Sequence, residues 1–177
     1  MSTGWDHRSA LQVSSRRRPS IDYLARTRAQ YSALGHPVYR WVENEAPPPW
    51  APLRRRLSES RLALVASGGI YQSGQVAFHH RDDTSVRAID RDIDVADLRT
   101  SHFAYDHTAA RSDPNVVFPI DPLRRSVAAG RLAGLAPQAY TCMGGIYSSR
   151  RVREELAPEI ARRVIEDQVD LVLLVPV

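Results

Sequence analysis

Two short apolar runs do most to limit what this chain can fold into. Leu62-Ala63-Leu64-Val65-Ala66 and Leu171-Val172-Leu173-Leu174-Val175 are continuous rather than alternating, so neither suits a strand with one wet face. Both fall far short of the roughly 18 apolar residues of a membrane span. They predict strands of a parallel sheet covered on both faces, over residues 61–67 and 170–175, and residues 115–118 (Asn-Val-Val-Phe) read as a third. Helical patterns separate them. Residues 121–131 form one, with Asp121 as N-cap and Pro122 at the first helical position. Residues 149–166 form another, with Val152, Leu156, Ile160 and Val164 on one face. Pro158 interrupts that pattern and predicts a kink or two consecutive helices. The fold class is therefore α/β, a mostly parallel open sheet with flanking helices. Residues 169–177 end the sequence inside an apolar strand, which leads us to expect a C-terminal part beyond it.

At 177 residues and 43% hydrophobic content the chain suits one domain with an ordinary core, preceded by extra segments. Residues 1–20 read as a flexible basic arm. Residues 21–52 hold a short amphipathic helix, carrying Tyr23, Leu24, Tyr31 and Leu34 and stopped by Gly35 and Pro37, and then a Pro-rich connector. Trp41 and Trp50 are expected to pack that connector onto the domain formed by residues 53–177. No apolar run of a signal peptide opens the chain, and a cytoplasmic, non-membrane protein is expected.

The 24 basic residues are all arginine, giving a net charge of +4. A chain without lysine has no Schiff-base lysine, no Walker A lysine and no lysine general base. The arginines of the arm are not interleaved with aromatics, so a solvated tail is expected rather than a nucleic-acid site. The single cysteine, Cys142, excludes an internal disulfide and reads as a buried, inert thiol.

Candidate chemistry lies where strands give way to turns. Ser67-Gly68-Gly69, followed by Tyr71, can offer backbone N–H groups to an anion. Asn115 and Asp121, with Arg124 in the first turns behind, could hold a carboxylate. His102 and Asp106 are candidate substrate-facing or catalytic residues. A metal site among His79, His80, His102 and His107 is not expected, because the segment around His102 lacks a helical repeat and adjacent His79 and His80 cannot point one way in an extended chain.

Taken in order, Val42-Glu43-Asn44-Glu45, Pro48-Pro49-Trp50, Leu57-Ser58-Glu59-Ser60-Arg61, Ser67-Gly68-Gly69-Ile70-Tyr71, Ser101-His102 with Tyr105-Asp106, residues 115–121, Leu135-Ala136-Pro137 and residues 169–177 resemble the selenoprotein B subunit of the glycine/sarcosine/betaine/D-proline reductase family, most of all its short D-proline-reductase-like branch. The resemblance implies reductive C–N cleavage beside a carboxylate by a selenolate or thiolate. It implies that selenocysteine or cysteine directly follows the strand at 169–177, so that the nucleophile lies just past Val177. It further implies a dithiol reductant, partner reductase subunits and, on a partner, a pyruvoyl group, with no cofactor in this chain. His102 then becomes a proton donor to the leaving amine and Arg124 a carboxylate clamp. Cys142 departs from the usual residue before the family's Met-Gly pair and is not the expected nucleophile. The alternative is a non-catalytic α/β module that binds a small anion at the Ser67-Gly68-Gly69 turn and the Asp121 helix.

Overall fold

The computed structural model describes residues 21–38 and 42–177. The expected arm at 1–20 and the packing of Trp41 lie outside the described residues. Contacts divide the chain into two units, Met1–Ala46 and Pro47–Val177. In the first, α1 (Tyr23–Ala33) begins where the Asp22 carboxylate accepts from the N–H of Ala25 at 2.9 Å. It ends at Gly35, whose φ of +74° reverses the chain. No residue of α1 is buried.

The second unit opens with the Pro-rich connector, which has no regular structure. Trp50 is 88% exposed there, so the expected packing of that ring does not occur; a proline-stiffened segment holds it out in solvent. The sheet follows. β1 (Arg61–Ala66) is buried at every position after Arg61 and is the central strand. β5 (Gly134–Leu135) and β6 (Gln138–Thr141) pair in parallel with its start and its end. β7 (Leu171–Val175) pairs in parallel with β1 from Leu62↔Leu171 to Ala66↔Val175. β3 (Arg87–Asp90) runs antiparallel on β6. A separate two-stranded ribbon joins β2 (Ile70–Gln72) to β4 (Leu98–Thr100). The mostly parallel open sheet read from the sequence is what forms.

Both apolar runs become strands, but their burial differs. β1 has neighbours on both edges, whereas among the described residues β7 pairs only with β1, and Val172, Leu173 and Leu174 are exposed. The start of β7 is fixed by Asp170, whose carboxylate accepts from Arg61 N–H at 2.9 Å.

The segment at 115–118 is not a strand. Pro114–Val116 forms a 3₁₀ turn capped by the Asp113 carboxylate, and it delivers Phe118, 0% exposed, into the core beside Leu64, Ile70 and Ile89. Proline has no N–H for a ladder and its fixed φ suits the first position of such a turn. α3 (Ile120–Ala128) begins two residues earlier than expected, with Pro119 at its N-cap and no side-chain cap, so Asp121 lies inside the first turn. Its carboxylate is bonded to Asn115 and Arg124 instead.

A further helical run opens with α2 (Thr108–Ser112), and a last one spans α4 (Ser149–Arg151), a π-turn (Val152–Leu156) and α5 (Ala157–Glu166). Pro158 falls in the first turn of α5, so the expected interruption takes the form of consecutive helical pieces joined by the π-turn. The wider turn before it spares the carbonyl that a proline ring would crowd, and Leu156 stays buried. Tyr140 ties the end of this helix to β6 through a 2.6 Å bond from its hydroxyl to Asp167. No described helix is long and apolar enough to cross a membrane.

Candidate functional site

Parallel strands bring their carboxyl ends to one side of the sheet, and the turns leaving β1, β6 and β7 meet there. Ser67 N–H donates to Val175 O at 3.0 Å, and Ser67 Oγ accepts from Val177 N–H at 3.0 Å. Gly69 N–H donates to Cys142 O at 3.1 Å, while Gly69 O accepts from Ser101 N–H at 2.9 Å. Two N–H groups of the Ser67-Gly68-Gly69 turn are thus spent on neighbouring strands. Gly69 has φ +66°, and a Cβ there would lie 2.1 Å from Ser101 O. Gly144 is squeezed likewise, with Ser67 O and Val177 O each 2.9 Å from the place its Cβ would take.

The segment after β4 wraps this turn. His102 is 8% exposed, stacked on Phe103 with ring centroids 5.6 Å apart and tilted against Tyr105 at 4.9 Å. Its Nδ1 accepts from Ala104 N–H at 3.0 Å, which puts the proton on Nε2, and Nε2 is buried without a partner. A buried donor left unpaired costs about 1–3 kcal/mol. Tyr105 lies between two imidazoles: its hydroxyl donates to Gly68 O at 2.8 Å, and His107 meets its ring edge-on at 4.8 Å. His107 Nδ1 lies 3.4 Å from an Arg111 Nη, and its Nε2 is also buried and unpartnered.

Asp106 bonds Thr108 and not His102. Its carboxylate accepts from Thr108 Oγ1 at 2.7 Å and Thr108 N–H at 2.9 Å, bonds that hold its pKa below the ordinary carboxylate range. Asn115, Asp121 and Arg124 form a second, closed cluster. Asn115 bridges Asp113 and Asp121, and Arg124 donates to Asp121 at 2.8 Å and to the carbonyls of Arg91 and Ile93 at 2.7 Å each. All three guanidinium nitrogens of Arg124 are therefore engaged. Tyr71 belongs to a third place, a cavity over the β2–β4 ribbon. Ser67, Gly68, Gly69 and His102 are brought together; Tyr71, Asn115, Asp121 and Arg124 are not part of that cluster. The sequence placed Tyr105 in a short motif but gave it no role, and missed the close approach of Gly144 to Ser67.

Cys142 is buried and free, and burial pushes its thiol up to about 11. Among the described residues no group of three or more His, Cys, Asp or Glu could hold a metal ion.

Burial, then the charge of His107, holds His102 below its usual 6.5. As pH falls through 6.5 the unfolded chain takes up this proton before the folded one does, so His102 adds its full share of stability above about 6.5 and loses it as pH drops through the folded value. His102→Gln should flatten the decline of Tm between pH 7 and 5; equal slopes for the two proteins would assign the decline to another group.

The family model described as Glycine/sarcosine/betaine reductase selenoprotein B (GRDB) matches residues 39–177. The D-proline reductase subunit gamma of Acetoanaerobium sticklandii is 38% identical over 134 residues, which is 76% of this chain and 55% of that protein. The glycine reductase complex component B subunit gamma of Symbiobacterium thermophilum is 31% identical over 72% of this chain and 30% of that protein. Its counterpart from Peptoclostridium acidaminophilum is 28% identical over 67% and 28%. The chain thus spans about half the length of the first of these relatives and about a third of the other two. No solved structure matches significantly. With more than half of its residues inside one family model, and the sheet, the Ser67-Gly68-Gly69 turn and the His102 segment all within the match, the chain belongs to the glycine/sarcosine/betaine reductase selenoprotein B family.

Proposed function

We propose that this chain forms the scaffold of a selenol- or thiol-dependent reductase subunit that cleaves a C–N bond beside a carboxylate. The observation that carries the reading is the hold on Val177: its N–H is bonded to Ser67 Oγ at the carboxyl ends of β1 and β7, beside Gly68 and Gly144. Reactive groups of open α/β sheets gather at such strand ends. In this reading the nucleophile, selenocysteine or cysteine, follows Val177 in the full subunit. Cys142 is unsuited to the task, because the thiolate is the nucleophile and burial opposes its formation.

The substrate is an amino acid or related amine, as the names of the relatives suggest. A dithiol oxidised to a disulfide supplies two electrons and two protons. The C–N bond breaks, one hydrogen ends on carbon, and one leaves on the amine. His102 is the proton donor in its imidazolium form; its lowered pKa makes that form a strong acid but a scarce one at pH 7. The relatives are named as subunits, so partner subunits are part of the proposal, and a pyruvoyl group would belong to one of them.

The test starts from the coding sequence after Val177. UGA or a cysteine codon followed by an in-frame helix supports the reading, whereas an ordinary stop followed by unrelated sequence removes it. The full subunit, assembled with its partners and given dithiothreitol, should release the amine from glycine, sarcosine or betaine, or open the ring of D-proline. Replacing the residue after Val177 by serine should lower that rate about a thousandfold or more.

A further inference from the structure

A cavity of about 310 Å³ opens over the β2–β4 ribbon, lined by Tyr71, Leu98, Arg99, Thr100, Ala110 and Arg111. Tyr71 and Arg99 are direct cross-strand partners, so their side chains rise from the same face of the ribbon. α2 adds Arg111 and the buried Ala110. Both guanidiniums are already oriented. One Nη of Arg99 donates to Ala96 O and Leu98 O at 2.8 Å each, and one Nη of Arg111 lies 3.4 Å from His107 Nδ1.

Neither cation has a carboxylate within ion-pair distance among the described residues. The arginines of α4 and α5 are treated differently: Arg150, Arg151, Arg162 and Arg163 each have a glutamate within 2.9 Å. Asp106, the acidic side chain whose charge Arg111 influences, lies outside ion-pair distance of Arg111, and its Oδ1 accepts both bonds from Thr108. The hydroxyls of Tyr71 and Thr100 have no protein partner among the described residues. Two guanidiniums without an ion-pair carboxylate among the described residues, with the Tyr71 hydroxyl on the same face as Arg99, therefore line one small cavity.

We propose that this cavity binds a small oxyanion, a carboxylate or a phosphate, between Arg99 and Arg111, with the Tyr71 hydroxyl as a further donor. Guanidinium forks match the spacing of such oxygens, and charge-assisted bonds to them are the strong kind. The volume lies at the lower end of the about 300–1,000 Å³ usual for ligand sites, which suits a small anion and not a nucleotide. Arg111 also touches His107, His107 meets Tyr105, and Tyr105 is bonded to Gly68 O, so two side chains connect Arg111 to the cluster at the carboxyl ends. The proposal does not depend on the reductase reading.

Sodium phosphate and sodium acetate, titrated at constant ionic strength into the full chain, test it by NMR of the arginine Nε–H groups. Saturable shifts of Arg99 and Arg111 are expected with either salt or both, and which salt saturates identifies the anion class. Arg99→Gln and Arg111→Gln should each weaken binding about tenfold or more, the loss expected for a charged hydrogen bond, and Tyr71→Phe about threefold. Arg125→Gln, an exposed arginine elsewhere, should bind as the parent does. Because Arg111 also supports His107, Arg99→Gln decides the matter if Arg111→Gln disturbs the amide spectrum. Shifts that grow linearly and match those from sodium chloride, or undiminished binding by Arg99→Gln, would overturn the proposal.

Discussion

Gly69→Ala should destabilise the protein by about 4 kcal/mol or more, a loss large enough to consume much of the stability of a domain this size. Two effects add. The first is the left-handed φ of +66°, which costs a residue with a Cβ about 1–3 kcal/mol. The second is contact, since the new Cβ would lie 2.1 Å from Ser101 O, a backbone atom of a residue whose own N–H is tied to Gly69 O. Gly130 separates the two, because it has the same φ of +66° with nothing within 4 Å of its would-be Cβ. Gly130→Ala should therefore cost only about 1 kcal/mol. Urea unfolding of both variants measures the difference, and equal costs would show that the approach of Ser101 is not what requires glycine at position 69. The comparison bears on function, because Gly69 O and Ser101 N–H join the turn after β1 to the segment carrying His102.

Phe118→Ala is the second large effect, expected to cost about 3–5 kcal/mol. The ring is 0% exposed and packs in the cluster that includes Leu64, Ile70, Ile89 and Ile120, so its removal leaves a cavity among side chains fixed by the sheet. Phe118→Leu, which refills much of that space, should cost about 1.5 kcal/mol or less, in line with swaps that largely conserve volume. Phe103 is the contrasting case. It is 43% exposed beside Gly145, and Phe103→Ala should change the unfolding midpoint little. A Phe118→Ala midpoint close to that of the parent would mean that the 3₁₀ turn before Phe118 does not seat the ring as described.

The Phe118 segment also shows where sequence reading stopped short. Val116, Val117 and Phe118 have the composition of a strand, and that reading failed because Pro114 and Asp113 organise a turn over the same residues. Propensity describes each residue alone, whereas capping by a carboxylate acts on the group. The same holds for Asp121. Its place before a proline suggested a cap, yet Arg124 and Asn115, three residues after it and six before it, compete for the carboxylate and win. His102 was chosen as a candidate from its residue type, but its burial and its unpaired Nε2 depend on Tyr105, Phe103 and a hydrogen bond from Ala104.

The sequence by itself determined the two apolar strands, the helical runs it places at 121–131 and 149–166 in outline, the buried thiol and the family. Each is written in a local pattern of apolar spacing, or in ordered short motifs that survive without coordinates. Only the tertiary structure decided that β7 takes an edge beside β1, that Tyr71 lies opposite Arg99, and that Ser67 holds Val177. Those facts rest on hydrogen bonds between residues as much as 110 positions apart. No local pattern encodes them, because the free energy that selects one register comes from burying whole faces at once.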